Sequence, residues 1–249
     1  MTEFQAYCKV SISPVRQDAR DQSEIVTQLL FGEIITVLEV NEPWAKVIAL
    51  SDAYEGYIDF KHFQKLSDKE VRRWTEGLGY LSDRERNLNT PWGKQRICRG
   101  SFIPEGLDKF NIGKDEFEFL DNSEEHFDSP VEYAIDYLNT PYLWGGKSPF
   151  GIDCSGITQV IYRLFGINLP RDASEQALIG ADVEFDDIEA GDLAYFDRGG
   201  KITHVGILDG KGGIIHAAGH VRLDRISPKG IVHFSNERLT HSLTCIKRT

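Results

Sequence analysis

The hydrophobic rhythm of the chain changes near residue 129. Before it, apolar residues come in short runs: TQLLFGEIITVLEV (27–40) with Gly32 between its halves, AKVIAL (45–50) and EGYIDF (55–60). Pro14, Asn41-Glu42-Pro43 and Ser51-Asp52 separate these runs, and short apolar runs bounded by turn residues predict strands. Several strands in about sixty residues suggest a small β-barrel over 1–66. Residues 67–84 (SDKEVRRWTEGLGYLSDR) are polar and helix-compatible, a connector. KQRICRGSFIP and DEFEFLD, within 91–121, turn strand-like again, so 67–125 is read as connector plus a second, degenerate barrel. The acids Asp115, Glu116, Glu118, Asp121, Glu124, Glu125 and Asp128 are read as a solvated edge and loop, not as a metal site.

From 129 onward a helical period takes over. Ser129, Pro130 and Glu132 suit N-cap, N1 and N3 of a helix, with Val131, Ala134, Ile135 and Leu138 as its apolar stripe and Pro141 as its end. In GIDCSGITQVIYRLFG (151–166), Ile157, Val160, Ile161, Leu164 and Phe165 fall at helical spacing, and Gly166 follows as a stop. A short helix over about 173–179 is expected, capped by Asp172 with Glu175 at N3. Strands then follow: DLAYFD (192–197), THVGILD (203–209), GIIHAA (213–218) and GIVHFS (230–235). Helices first and an antiparallel sheet afterwards make residues 126–249 an α+β domain.

Composition narrows the function classes. A net charge of −11 over 249 residues gives no long-range attraction to nucleic acid or to an anionic membrane. No apolar run reaches the roughly 18–20 residues of a membrane helix, and MTEFQAYCKVSISPVRQDAR shows no secretory apolar core. Cys8, Cys98, Cys154 and Cys245 are scattered, without a CxxC pair. A reducing, cytoplasmic setting is expected.

One cysteine sits where chemistry favours it. Asp153 is a good N-cap type, so Cys154 falls in the first turn of its helix. Unpaired N–H groups and about half a positive charge gather there, and a thiol in that position ionises more readily. A free cysteine is otherwise a small buried apolar residue. A cysteine nucleophile needs a base, and the base needs a partner to orient it. His204 and His216 lie on two strands joined by LDGKGG, a hairpin signal. If Asp209-Gly210-Lys211 forms the loop, Leu208 pairs with Gly212 and His204 stands directly opposite His216, at roughly 5 Å between Cβ atoms. An even loop would put the two on opposite faces. Cysteine plus two histidines is also a zinc ligand type, but no second cysteine or carboxylate–histidine pair completes a usual set, so no metal or cofactor is expected.

These residues sit in a longer match. TPYLWGGKSPFGIDCSGITQVIYRLFGINLPRDASEQALIG (140–180), EAGDLAYFD (189–197), THVGILDG (203–210) and IIHA (214–217) resemble the NlpC-type cysteine peptidases, papain-like enzymes that cut bacterial cell-wall peptides. The resemblance covers about residues 130–249, and DCSG, LPRDASEQ, the GDL strand and the HVGI strand appear in family order. It implies Cys154 as nucleophile, His204 as general base, His216 as the orienting residue and Tyr142 as a lining residue. For Tyr142, packing beside Trp144 is the alternative.

Residues 8–64 are similar to a bacterial SH3-like domain, and SEIVTQLLFGE (23–33) resembles its motif in the cytoplasmic γ-D-glutamyl-L-diamino acid endopeptidases (dipeptidyl-peptidase VI type). That subgroup implies a small murein peptide, L-Ala-γ-D-Glu-diamino acid with a free N-terminus, as substrate. It also implies Glu24 and Tyr54 near the substrate ammonium, with Tyr57 as alternative to Tyr54. Asp153 would pair with the ammonium and Ser155 with the D-Glu carboxylate. Glu24 is otherwise a surface acid, and Asp153 otherwise only a helix cap. A general wall hydrolase, a peptide-binding module and an acyltransferase on the same fold are the rival readings.

Overall fold

A computed structural model describes residues 3–123 and 126–249. Glu124 and Glu125 of the acidic stretch lie outside the described residues. The chain forms two compact units, 1–126 and 127–249. Among the described residues no helix is long and apolar enough to cross a membrane.

The first unit is built almost wholly from strands. Seven of them make one antiparallel sheet in the order Ile25–Leu30, Ile12–Arg16, Glu55–Asp59, Trp44–Ala49, Ile34–Asn41, Phe4–Cys8 and Phe63–Lys65. A four-stranded sheet follows in the order Gly93–Cys98, Glu85–Thr90, Asp115–Phe119 and Lys109–Ile112, beside a ribbon of Leu78–Tyr80 and Phe102–Pro104. The expected connector contains the helix Asp68–Thr75, opened by a capping box of Ser67 and Glu70. Both sheets feed one aromatic core, in which Tyr7, Phe31 and Trp74 pack with Phe102, Phe110 and Phe117. Two bonds lock the segments together: Trp74 donates its Nε1–H to the Gly32 carbonyl at 2.8 Å, and the Tyr7 hydroxyl donates to Asp115 at 2.7 Å. Asp115 and Asp121 of the acidic stretch thus serve the fold, the latter accepting from Arg86 and Asn87.

In the second unit the helix Pro130–Asp136 opens with the expected Ser129/Glu132 capping box. Its stripe is shifted: Tyr133 and Ala134 are buried, whereas Ile135 is 50% exposed. The helix Cys154–Leu164 ends with Phe165 as cap and Gly166 beyond it. It is not amphipathic in the expected sense, because every residue from Cys154 to Arg163 is buried. It packs against the strands of the sheet and against both neighbouring helices. Its polar side chains find internal partners: Thr158 donates to the Ser155 carbonyl at 2.9 Å and Gln159 to the Leu169 carbonyl at 3.1 Å. The third helix is only Ala173–Gln176, and Asp172 occupies its N-cap position without a side-chain cap bond.

The sheet holds more strands than expected and closes on itself. Its order is Ala181–Asp182, Leu239–Arg248, Leu193–Arg198, Lys201–Leu208, Gly213–Ala218, His220–Ser227 and Gly230–Val232, and the last strand pairs back with Leu239–Arg248, leaving Ala181–Asp182 outside the closed ring. The result is a six-stranded antiparallel barrel, and helices are the minor component. Ile157 and Ile161 of the Cys154 helix share a core with Val205, Ile207, Ile215 and Val221 of the barrel strands. Hydrophobic burial on that face is what seats the helix start beside the barrel.

Gly156 allows the helix to start where it does. A Cβ built there lies 2.2 Å from the Gly146 carbonyl oxygen and 2.9 Å from Asp153 Oδ1. Gly156→Ala is therefore expected to destabilise the second unit by about 1–3 kcal/mol, read as a lowered denaturation midpoint. An unchanged midpoint would show that the 146 loop yields freely.

Candidate active site

Cys154 is the first residue of its helix, with Asp153 as N-cap in extended conformation. The Asp153 carboxylate is crowded with donors. Oδ1 accepts from the Gly156 N–H at 2.7 Å and from Arg171 at 3.1 Å, while Oδ2 accepts from the Gly145 N–H at 2.8 Å and from Arg171 at 2.5 Å. Arg171 also donates to the Ser155 hydroxyl at 2.8 Å. Asp153, Ser155 and Arg171 are all buried. A planar guanidinium meeting a carboxylate through two nitrogens is the strong form of such a pair. Of the two roles left open for Asp153, the helix cap is the one on display, together with that of counter-ion to Arg171. Sequence reasoning quoted LPRDASEQ but did not single out Arg171.

The histidines come from the barrel. The hairpin pairs Ile207 with Ile215 and Leu208 with Ile214, so its loop has five residues rather than three. Loop parity is odd as expected, but the register differs by two positions. His204 and His216 are therefore diagonal neighbours on one face rather than directly opposite. The register carried outward sets Gly206 across from His216. A Cβ at Gly206 would lie 2.8 Å from the Ile214 side chain and 2.9 Å from the Cβ of His216, so only glycine lets the two strands approach this closely beside His216. The two rings meet: His204 Nε2 lies 2.8 Å from His216 Nδ1.

The cysteine reaches the same strand. Its Sγ lies 4.0 Å from the Thr203 carbonyl oxygen, and the Val205 N–H bonds to the sulfur. These are the two residues flanking His204. Tyr142 is half-buried and packs against the cluster that holds Cys154. Burial raises the phenol's pKa, and the nearby Cys154 and Asp153 raise it further. Trp144, its alternative packing partner, is 58% exposed.

Three further residues, not singled out from the sequence, surround the histidines. His216 Nε2 lies 3.1 Å from Asp224 Oδ2, and Arg222 donates to the same oxygen at 2.9 Å. His241, from the closing strand of the barrel, stacks on His204 with ring centroids 4.3 Å apart and planes inclined by 21°. Glu24 and Tyr54 belong to the first unit. Glu24 is exposed, while Tyr54 and Tyr57 line one surface depression with Gln17, Val26 and Lys46. Among the described residues no group of three or more His, Cys, Asp or Glu has the geometry to hold a metal ion.

Residues 139–238 match the NlpC/P60 family, and residues 15–63 match the bacterial dipeptidyl-peptidase SH3 domain. A Bacillus subtilis protein named gamma-D-glutamyl-L-lysine dipeptidyl-peptidase is 46% identical over 230 residues, covering 78% of this chain and 72% of that relative. The chain belongs to the NlpC/P60 family. Dipeptidyl-peptidase 6 of Lysinibacillus sphaericus is 26% identical over 230 residues, covering 79% of this chain and 81% of that relative. The crystal structure of a Bacillus cereus NlpC/P60 family protein shares the fold, with a TM-score of 0.78 at 20% identity, covering 98% of this chain and 99% of that one. As a member of the NlpC/P60 family the protein is a hydrolase of the cysteine-peptidase type.

The electrostatics of this NlpC/P60 site differ from the helix-start expectation. Burial pushes the Cys154 thiol up to about 12, and Asp153 adds to the rise. The Val205 and Ser155 N–H groups and Arg171 pull the other way without prevailing. Burial also holds His204 well below the usual histidine range, with His216, His241 and Arg222 opposing a positive charge. Desolvation thus disfavours the thiolate and the imidazolium alike.

The same burial makes stability pH-dependent. Burial holds the folded-state pKa values of His204, His216 and His241 below the usual histidine range, His241 at about 4. Below about pH 6.5 the unfolded chain binds protons that the fold excludes. The stabilisation is full above that pH and is lost as pH falls toward the folded values. Denaturant melts between pH 7 and 4.5 are expected to show this loss. His241→Phe, which keeps a stacked ring, should reduce the slope by about one proton; an unchanged slope would remove His241 from the account.

Proposed function

We propose that this protein hydrolyses the bond between γ-D-Glu and the diamino acid in short murein peptides with a free N-terminal L-Ala. The observation that carries the reading is the 2.8 Å contact of His204 with His216 on the strand that also holds the Cys154 sulfur. The names of its relatives, which specify γ-D-glutamyl-L-lysine, supply the bond. Cys154 is the nucleophile, His204 the general base and acid, and His216 its orienting partner.

In this mechanism the thiol proton passes to His204 as the sulfur attacks the amide carbon. The tetrahedral oxyanion is met by the Cys154 N–H, one of the donors that a helix start leaves outside its ladder. Collapse breaks the C–N bond, His204 gives its proton to the leaving amine, and a thioester remains. Water, deprotonated by His204, cleaves the thioester and regenerates the thiol. Because burial disfavours both charged forms, the charge separation develops as substrate excludes water and supplies the oxyanion. Tyr142 lines the approach.

Reading of the free N-terminus is assigned to Glu24 and Tyr54 because both lie in the stretch that matches the bacterial dipeptidyl-peptidase SH3 domain. Four free cysteines suit a reducing cytoplasm, where such peptides are returned during wall turnover.

Mass spectrometry of digests tests the reading with four substrates: L-Ala-γ-D-Glu-L-Lys, its meso-diaminopimelate counterpart, their N-acetylated forms, and intact sacculi. L-Ala-γ-D-Glu is expected only from the free-amine peptides, and Cys154→Ala should abolish its release. Glu24→Gln should raise KM about 10–100-fold, the worth of a charge-assisted bond. Equal cleavage of acetylated peptide or sacculi would instead make the protein a general wall hydrolase.

A further inference from the structure

The contact between the two histidines is one link of a longer chain of hydrogen bonds. His216 faces Arg222 directly across the neighbouring strand pair, and Asp224 lies two residues further along on the same face. Asp224 is 2% exposed, yet it remains a carboxylate. Burial pushes it up, but the His216 N–H, the Phe234 N–H and Arg222 outweigh this and hold it at about 2. Both oxygens are committed: Oδ1 accepts from the Phe234 N–H at 2.9 Å, and Oδ2 accepts from Arg222 Nε at 2.9 Å and from His216 Nε2 at 3.1 Å.

An ionised carboxylate only accepts, and a neutral imidazole carries one N–H and one lone pair. His216 must therefore carry its proton on Nε2, the nitrogen facing Asp224, and its Nδ1 is a lone pair. That lone pair lies 2.8 Å from His204 Nε2, so His204 carries its proton on Nε2 and donates. The remaining nitrogen of His204, Nδ1, is then the bare one. Reversing any step sets two donors or two lone pairs face to face.

We propose that Asp224, pinned by Arg222 and the Phe234 N–H, is a positioning residue that fixes the tautomers of His216 and His204 and so makes Nδ1 of His204 the proton acceptor. The proposal deepens the reading of His204 as general base and rests on it. During attack His204 Nδ1 takes the thiol proton, Nε2–H stays on its bond to His216, and no proton moves between the histidines. The negative charge of Asp224 steadies the imidazolium through His216. The other titratable or charged groups around the pair are Arg222, His233 and His241, and each opposes a second proton on the rings.

A carboxamide can do the same only by setting its NH2 against the Phe234 N–H. Asn at 224 must turn its NH2 toward either the Phe234 N–H or the Arg222 and His216 side. In the second case His216 Nε2 becomes the acceptor, the chain of bonds reverses, and His204 loses its lone pair at Nδ1.

Two measurements test this. Long-range 1H–15N correlation spectra of the wild-type protein at neutral pH are expected to show the Nε2–H tautomer at both His204 and His216; an Nδ1–H tautomer at His204 overturns the proposal. Asp224→Asn is expected to lower kcat about a hundredfold to ten-thousandfold, as wrong-tautomer variants of other triads do, with KM within about threefold. A kcat within about threefold of wild type, in a variant whose spectrum shows the Nδ1–H tautomer at His204, also overturns it. The wild-type spectrum decides the matter even if the variant does not fold. It also decides if no peptide is cleaved at all, an outcome that would defeat the proposed activity but not the tautomer assignment.

Discussion

Burying the Asp153 carboxylate strips it of water, and the arrangement holds only because donors converge on its two oxygens from three directions. The Gly145 N–H comes from the preceding loop, the Gly156 N–H from the first helical turn, and the guanidinium from Arg171 beyond the helix. A buried ion pair of this kind is a weak source of net stability and a severe loss when one partner is removed. Its value is positional. Cys154 lies between the cap and the turn, so the sulfur inherits the rigidity of the whole knot.

The same exclusion of water that steadies the nucleophile works against its charge. Cys154 is driven toward the thiol and His204 toward the neutral ring. Neither is armed at rest. A helix start adds a fraction of a charge to the sulfur's surroundings, whereas burial removes its hydration, and the second effect is larger. Reactivity therefore belongs to the pair and the substrate together, and a stray electrophile meets a protonated sulfur.

Much of this was legible in the sequence, for definite reasons. The helical spacing of Ile157, Val160, Ile161 and Leu164 located the Cys154 helix, and the odd hairpin loop put His204 and His216 on one face. Parity survived although the register did not. Asp209 accepts the backbone N–H groups of Lys211 and Gly213, and this widens the loop by two residues on its far side, a detail invisible to spacing alone. Asp224 and His241 escaped because their strands lack a clean period. In His220–Ser227, Leu223 is 46% exposed while Asp224 is buried, the reverse of an alternating pattern. The closing strand Leu239–Arg248 is mostly exposed or half-buried, and nothing local shows that a sheet becomes a barrel. Arg171 likewise reads as a surface residue until a carboxylate is placed beside it.

Gly206 carries no functional group, yet the close approach of its strand to His216 depends on its having no side chain. A methyl group there would press on the Ile214 side chain and the Cβ of His216 and shift the strand that carries His216, with cysteine, both histidines and the aspartate all intact. Loss of function by that route would leave every reactive group in place. Among relatives of this chain, a dormant site is then marked by what has been added at this position as well as by what has been lost elsewhere.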